Sequence, residues 1–351
     1  MAGQYDVAFT FMHVNAHQAM STLSSSPIKR ISHPAPLDSG RSVEATEKPD
    51  WHLEPVVAGL REIRRRWREA HARQHDFGGR ELPSPDAVAA IVAALRGALF
   101  PMRLGPPDLR HESEDFYVGD ALDAALHALR EQIRLELHYT ARCTGAAVEG
   151  IEQRAAGMVR TFAHALPEVR AVLDTDIEAA YLGDPAANSV DEVLLCYPGI
   201  LATIHHRLAH PLYALGVPII ARMVAEIAHS KTGIDIHPGA QIGPGFFIDH
   251  GTGVVIGETT IIGARVRLYQ AVTLGAKRFK VGADGTLEKG APRHPILEDD
   301  VVVYAGATIL GRITIGRGAS IGGNVWLTRS VPPGGVITQA NSRHEFAAGN
   351  P

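Results

Sequence analysis

The sequence predicts an α+β fold, in which an N-terminal all-α helical domain precedes a left-handed parallel β-helix with an inserted loop. Three observations support this fold. Apolar residues before residue 232 recur at helical spacing, aliphatic residues after it recur every six positions, and the composition changes between the two parts. Gly, Ile and Val replace Ala, Leu and Arg at that point.

The helical part begins near residue 51. The segment "PDAVAAIVAALRGALFP" (85–101) has Pro and Asp at its start and Pro at its end, which is typical of a bounded helix. The segment "DALDAALHALREQIRLELHY" (120–139) places Leu122, Ala125, Leu129 and Ile133 at spacings of three and four. This pattern predicts amphipathic helices with one buried face.

The six-residue repeat forms two series of positions, which are aliphatic except for Thr260. The first consists of Ile236, Ile242, Ile248, Val254, Thr260, Val266 and Val272, and the second of Leu297, Val303, Ile309, Ile315, Ile321 and Leu327. A repeat of six fits a short strand and a turn, three of which close a triangular coil of about 18 residues. We expect these anchors to point inward.

The two series predict the domain boundaries. The interval from Val272 to Leu297 is not a multiple of six, so residues 275–295 are predicted to form an inserted loop. We expect a disordered extension over 1–50, a helical domain over 51–232, the β-helix over 233–333 and a C-terminal tail over 334–351.

The overall composition narrows the class of protein. A net charge of −4 with 45% hydrophobic and 21% charged residues is typical of globular proteins and gives no reason to expect nucleic-acid or membrane binding. No long apolar run and no signal peptide are visible, so we expect a cytoplasmic protein. The two cysteines predict neither a disulfide framework nor a zinc site, and we expect Cys196 to be a small core residue.

Polar residues interrupt the β-helix at several positions. Glu258 and His237 are interpreted as structural corner residues. His250 is open between a structural histidine and a general base, because an imidazole titrates near neutrality and can take a proton when an acid orients its second nitrogen. Asp235 precedes His250 by almost one full coil, which predicts a place on the neighbouring rung near the same corner, so it is the candidate orienting acid.

A second cluster of histidines lies in the helical part. The segment "IHHRLAH" (204–210) places His206 and His210 four positions apart, as in some zinc sites. The glutamate that accompanies such a pair in the HExxH motif is missing, so we expect no metal there.

Several motifs resemble those of the serine O-acetyltransferases, a family of hexapeptide-repeat acyltransferases. The resemblance covers roughly residues 180–335 and rests on "DIHPGAQIG", "DHGTGVVIGET", "VTLGA", "RHPIL" and "SVPPG". It implies acetyl transfer from acetyl-CoA to the L-serine hydroxyl, with no permanently bound cofactor and no metal.

The resemblance also implies roles for individual residues. It implies that His250 is the general base, that Asp235 orients it, and that His294 lines the site and helps to position serine. Asp184 and Asp249 would hold the serine ammonium. Arg293 would meet the serine carboxylate, for which a guanidinium is well suited.

The resemblance implies that CoA lies between neighbouring β-helices and contacts Gly275, Ala305 and Gly322. The minimum unit would be a trimer, and helical domains in this family commonly pair two trimers into a hexamer, so the sequence leaves a trimer or a dimer of trimers. Two positions depart from the family. Ala276 replaces the second glycine of "VTLGG", and Pro351 ends the chain where the family has a terminal Ile. We therefore do not expect the standard complex with cysteine synthase.

Three other functions are compatible with the repeat. A related O-acetyltransferase for a sugar or another hydroxyl would share the base, but it would have no reason to keep Asp184, Asp249 and Arg293 together. A metalloenzyme of the γ-carbonic-anhydrase kind needs three histidine ligands, and His250 and His294 supply two. A non-catalytic scaffold would not need Asp235 and His250.

Overall fold

The computed structural model describes residues 51–70, 82–278, 282 and 285–339. The predictions for residues 1–50 and for Pro351 therefore lie outside the described residues. The chain divides into two compact units, residues 1–77 and 78–351. In the first unit, α1 (Leu53–Ala70) is amphipathic and has no buried residue.

The second unit begins with seven α-helices among the described residues. They are α2 (Pro85–Leu99), α3 (Pro101–Leu104), α4 (Glu114–Thr144), α5 (Ile151–Gly183), α6 (Val190–Cys196), α7 (Pro198–Ala214) and α8 (Pro218–Thr232), with a 3-10 helix at His111–Ser113. The Ser84 hydroxyl caps α2 by accepting from the amide of Ala87, and Pro85 starts the helix, as the sequence predicts. The helices share a core that includes Leu129, Ile133 and Phe162.

Fourteen short strands follow the helices in the described part of the chain. They are β1 (Asp235–Ile236), β2 (Gln241–Ile242), β3 (Phe247–Ile248), β4 (Val255–Ile256), β5 (Ile261–Ile262), β6 (Arg267–Leu268), β7 (Thr273–Gly275), β8 (Ile296–Leu297), β9 (Val302–Val303), β10 (Thr308–Leu310), β11 (Thr314–Ile315), β12 (Ser320–Ile321), β13 (Trp326–Leu327) and β14 (Val336–Ile337).

The strands form three parallel sheets, which are the three faces of a triangular β-helix. Sheet A contains β1-β4-β7-β10-β13, sheet B contains β2-β5-β8-β11, and sheet C contains β3-β6-β9-β12-β14. The second series of anchors falls on strands β8 to β13, and Val303, Ile309 and Ile321 are fully buried. The predicted order of helices, parallel β-helix and inserted loop is confirmed. The last strand lies beyond the predicted end of the β-helix at residue 333.

The first coil is longer than the repeat predicts. Asp235 pairs with Val255, whereas Val255 pairs with Thr273, so the first coil exceeds the second by two residues. After Ile248, the positions of the first series therefore fall on corners instead of strands. These corner residues, from Val254 to Val272, are also buried. The two extra residues lie in the corner that contains His250.

Two smaller expectations have different outcomes. Cys196 is exposed at the end of α6, so its assignment to the core is wrong; Val193 is the residue of this helix that is buried. Within the described ranges, the helices are too short or too polar to cross a lipid bilayer.

Candidate active site

His250 lies on a bulge at the corner between sheets C and A. Asp249 is in register with Tyr269, and Gly253 with Ala271, so residues 250–252 replace a single residue of the next coil. His250 and Gly251 both have left-handed backbone conformations, with φ values of 57° and 88°. The His250 side chain is 72% exposed. Other corner residues, such as Ala271 and Asn324, share this left-handed conformation, so it belongs to the turn of the β-helix, and it is the two-residue insertion that distinguishes the His250 corner.

A pair of hydrogen-bonded side chains lies beside this bulge. The Asp184 carboxylate, just after α5, accepts a hydrogen bond of 2.5 Å from the Tyr197 hydroxyl and one of 2.8 Å from the amide of Ala186. These bonds lower the pKa of Asp184, and the nearby charge of His250 lowers it further. The pKa of Tyr197 is raised to about 12, first by its bond to Asp184, so its hydroxyl stays a donor. Asp184 therefore presents a permanent negative charge near His250.

Two carboxylates are candidates for the acid that orients His250. Asp249 Oδ1 lies 3.9 Å from His250 Nδ1. Asp235 begins β1, directly after the corner that lies below the His250 bulge, and its amide donates to the carbonyl oxygen of Val254. No hydrogen bond joins the Asp235 and His250 side chains in the described chain. The orienting role of Asp235 therefore stays a prediction.

A second group of polar side chains lies at the corner between sheets A and B. Arg293 Nη2 donates to Glu258 Oε2 at 2.6 Å, and the Tyr213 hydroxyl of α7 donates to Glu258 Oε1 at 2.8 Å. The Tyr213 ring meets the His237 ring edge to face, with the centroids 5.6 Å apart. Burial opposes the ionisation of Glu258, but the bonds from Tyr213 and Arg293 outweigh it and lower the pKa of this carboxyl.

His294 is held in one tautomer at this corner. Its Nδ1 accepts from the amide of Thr259 at 3.1 Å and lies 2.9 Å from the Thr259 hydroxyl, so Nε2 must carry the proton of the neutral ring. Burial and the charge of Arg293 lower the pKa of His294 to about 4. His294 is therefore a neutral hydrogen-bond donor at neutral pH and is unsuited to act as a base.

The predicted site residues fall into two groups on opposite edges of sheet A. Asp184, Asp249 and His250 lie at the corner between sheets C and A, whereas Arg293 and His294 lie at the corner between sheets A and B. Within the described chain, sheet A separates the two groups.

The residues predicted to contact CoA are also divided between these edges. Ala305 and Gly322 stack above the His250 corner, because they follow the strands of sheet C in the later coils. Gly275 ends β7 at the opposite edge of sheet A. Their contacts with CoA stay a prediction.

The sequence interpretation missed three members of these groups. Tyr197 and Tyr213 carry no motif that separates them from packing residues. Thr259 ends the motif "DHGTGVVIGET", but its partners lie across the inserted loop, so the motif alone assigns it no role. Glu258, interpreted from the sequence as a structural corner residue, accepts a hydrogen bond from Arg293 at this corner.

The His206–His210 pair is accounted for by packing. Both residues are on α7, with ring centroids 5.8 Å apart; His206 is buried, and His210 Nδ1 lies 2.8 Å from the Pro238 carbonyl oxygen. Among the residues with described positions, no three His, Cys, Asp or Glu side chains converge on a point that could hold a metal ion.

Comparisons with known proteins agree with this architecture. No protein-family model matches the chain. It is 53% identical over 310 residues to the plasmid serine acetyltransferase of Synechococcus elongatus, an alignment that covers 88% of this chain and 97% of that protein. It is 48% identical over 162 residues to the serine acetyltransferase of Mycobacterium tuberculosis, over 46% of this chain and 67% of that protein.

Solved structures show the same fold. Serine acetyltransferase isoform 3 of Entamoeba histolytica, in complex with cysteine, has a TM-score of 0.61 at 35% identity, over 74% of this chain and 84% of that chain. Native serine acetyltransferase 1 of that organism has a TM-score of 0.62 at 34% identity, over 81% of this chain and 97% of that chain.

The relatives are serine acetyltransferases, and the chain shares the helical region and the left-handed parallel β-helix of their solved structures, so the protein is an acyltransferase of the β-helix class. The identity to the Synechococcus protein extends over almost its whole length. The chain belongs to the serine acetyltransferase family.

Proposed function

We propose that this chain transfers the acetyl group of acetyl-CoA to the hydroxyl of L-serine, with His250 as the general base, and thereby serves cysteine biosynthesis. The observation that carries the proposal is the division of charge between the two edges of sheet A. One edge offers the carboxylates of Asp184 and Asp249, and the other offers the guanidinium of Arg293. A free amino acid carries one ammonium and one carboxylate, so these edges match its two ends.

The serine hydroxyl then lies next to His250 in the proposed complex. Serine Oγ gives its proton to the imidazole as it attacks the thioester carbonyl carbon. The carbon–sulfur bond breaks, and the CoA sulfur leaves and takes the proton from the imidazolium. The products are O-acetyl-L-serine and CoA. The Asp249 carboxylate near Nδ1 stabilises the imidazolium, and Asp235 is the predicted orienting acid.

His294 contributes a donor rather than a base. Its Nε2–H is fixed by the bonds that Thr259 makes to Nδ1. We place this donor on an oxygen of serine. No permanently bound cofactor is needed, because a thioester is already activated and a positioned base with proximity can suffice.

The complete site forms between two chains in this proposal. Because sheet A separates the ammonium-binding edge from the carboxylate-binding edge within one chain, a neighbouring β-helix must supply the missing half. A trimer repeats this contact three times and leaves no half-site unpaired. Pairing of two trimers through the helices, and a cytoplasmic location, stay predictions.

Cysteine is a candidate inhibitor of the same site. Serine acetyltransferase isoform 3 of Entamoeba histolytica is seen in complex with cysteine. Cysteine has the same ammonium and carboxylate groups as serine, so we propose that it competes with serine between Asp184 and Arg293.

One assay tests the proposed reaction. Purified protein with acetyl-CoA should release free thiol when L-serine is added, and the release should be absent without an acceptor. A panel of sugars serves as the alternative acceptor. Thiol release with a sugar and not with serine would identify the protein as an O-acetyltransferase that acts on sugars.

A further inference from the structure

A chain of hydrogen bonds connects helix α7 to the guanidinium of Arg293. Tyr213 donates to Oε1 of Glu258 at 2.8 Å, and Arg293 donates to Oε2 of the same carboxylate at 2.6 Å. We propose that Tyr213 and Glu258 are positioning residues, which hold Arg293 in the orientation that receives the carboxylate of the amino-acid acceptor. This proposal rests on the proposed function and adds two specificity-determining residues to it.

The remaining contacts of Arg293 fit this role. A guanidinium has five N–H donors. Glu258 takes one, and the carbonyl oxygen of Ala291 takes a second at 3.3 Å. The other three have no acceptor among the described residues, so they are available to a ligand. The Arg293 and Glu258 side chains are 26% and 19% exposed. This ion pair is therefore partly shielded from water at the corner where the serine carboxylate is proposed to bind.

The backbone near Arg293 is fixed independently of its side chain. The Thr259 hydroxyl oxygen accepts from the amides of Arg293 and His294, at 2.9 and 3.1 Å. The start of the side chain is therefore placed by Thr259, and its end by Glu258. Without Glu258, the flexible methylene stem would leave the guanidinium free to sample several rotamers.

A positioning role and a purely electrostatic role of Glu258 predict opposite effects on serine binding when its charge is removed. An anion beside Arg293 weakens its attraction for a second carboxylate, so a purely electrostatic role would make the loss of this charge favourable to serine. A positioning role requires the two hydrogen bonds instead. Glutamine retains both contacts without the charge, since its oxygen accepts from Arg293 and its amide can donate to the Tyr213 oxygen. Alanine loses both contacts.

The test compares two acceptors, L-serine and L-serinamide, which lacks the carboxylate. The measured quantity is the ratio of their kcat/KM values in the thiol-release assay. Glu258→Ala should lower this ratio about tenfold, mainly by raising the KM for serine, whereas Glu258→Gln should lower it less than about threefold. Tyr213→Phe should lower it about threefold and should add little to Glu258→Ala, because both act through Arg293.

The matched control is another ion pair at a β-helix corner. Arg265 contacts Asp300 with bonds of 2.7 and 2.9 Å, between sheets B and C. Asp300→Asn should leave the ratio unchanged, and asparagine tolerates the left-handed conformation of that position. Circular dichroism and size-exclusion chromatography confirm that each variant folds and assembles.

Equal ratios in Glu258→Ala and the unaltered protein would overturn the proposal, as would equal effects of the alanine and glutamine variants. Tyr213→Phe provides the same readout if Glu258→Ala does not fold, and an unchanged ratio there would also overturn it. Failure of the unaltered protein to acetylate either acceptor would instead refute the proposed function.

Discussion

Gly257→Ala should lower the activity of this protein about 100-fold while leaving its β-helix intact. A Cβ atom on Gly257 would lie 2.7 Å from Cγ of His294 and closer still to Cδ2 and Nε2. Ordinary van der Waals contact begins at 3.4 Å, so Cγ must retreat by 0.7 Å, and the two ring atoms that lie nearer to the new Cβ must move farther. The ring is not free to move, because Thr259 holds its Nδ1 by bonds of 3.1 and 2.9 Å.

The magnitude follows from this geometry. Displacing the ring strains or breaks two hydrogen bonds worth about 1 kcal/mol each, which lowers the melting temperature by a few degrees. The Nε2–H donor moves by a similar distance, and misplacement by about 1 Å costs roughly 100-fold in rate. We therefore expect kcat/KM for serine to fall about 100-fold in the thiol-release assay.

The control is the same chemical change where space is available. Gly119 lies within α4, and no neighbouring atom lies within 4 Å of the position that a Cβ would take. Gly119→Ala should therefore retain activity and stabilise the helix by up to about 1 kcal/mol. If Gly257→Ala keeps normal kcat/KM, then the placement of His294 is not needed for the reaction and its proposed role is refuted.

Three further predictions concern the His250 corner and the buried helices. His250→Ala should lower turnover by orders of magnitude with an unchanged oligomer by size-exclusion chromatography; near-normal turnover would exclude it as the base. Tyr197→Phe removes the first cause of the low pKa of Asp184, so its carboxylate should protonate at higher pH and the KM for serine should begin to rise at a less acidic pH; identical KM–pH profiles would contradict this. Burial lowers the pKa of His205 to about 4. The unfolded residue titrates near 6.5 and takes up protons first, so His205 alone should contribute about 2 kcal/mol to the loss of stability by about pH 5, in addition to the losses from His206 and His294, whose pKa values are also lowered. Thermal melts above pH 6.5 and at about pH 5 measure this loss of stability. If His205→Leu loses as much stability between these pH values as the unaltered protein, another group is responsible.

The repeat is readable from the sequence because each coil obeys a local rule. Each strand requires one inward aliphatic residue. The six-residue spacing alone therefore predicts that Val303 and Ile309 are buried. The same rule fails in the first coil. There the corner is two residues longer, so the six-residue series moves from strand residues to corner residues. The corner residues are equally buried, so hydrophobicity alone does not reveal this change of register.

The candidate site was only partly predictable. His250 is a polar residue within the aliphatic repeat, Arg293 lies at the end of the inserted loop, and motif resemblance assigned both of them roles. Tyr197 and Tyr213 are aromatic residues at or within helices, where packing is the common reason for their presence. Their hydroxyl groups become significant only when the fold brings a carboxylate to each of them.

The sequence by itself determined the β-helix, the loop and the residue types of the chemistry, because periodicity and short motifs are local properties of the chain. The tertiary structure decided which of those residues are neighbours. It placed the acidic and basic groups on two edges of one sheet, fixed the tautomer of His294 through Thr259, and tied Arg293 to α7 through Glu258. These relations depend on contacts between segments that are distant in sequence, and no local pattern encodes them.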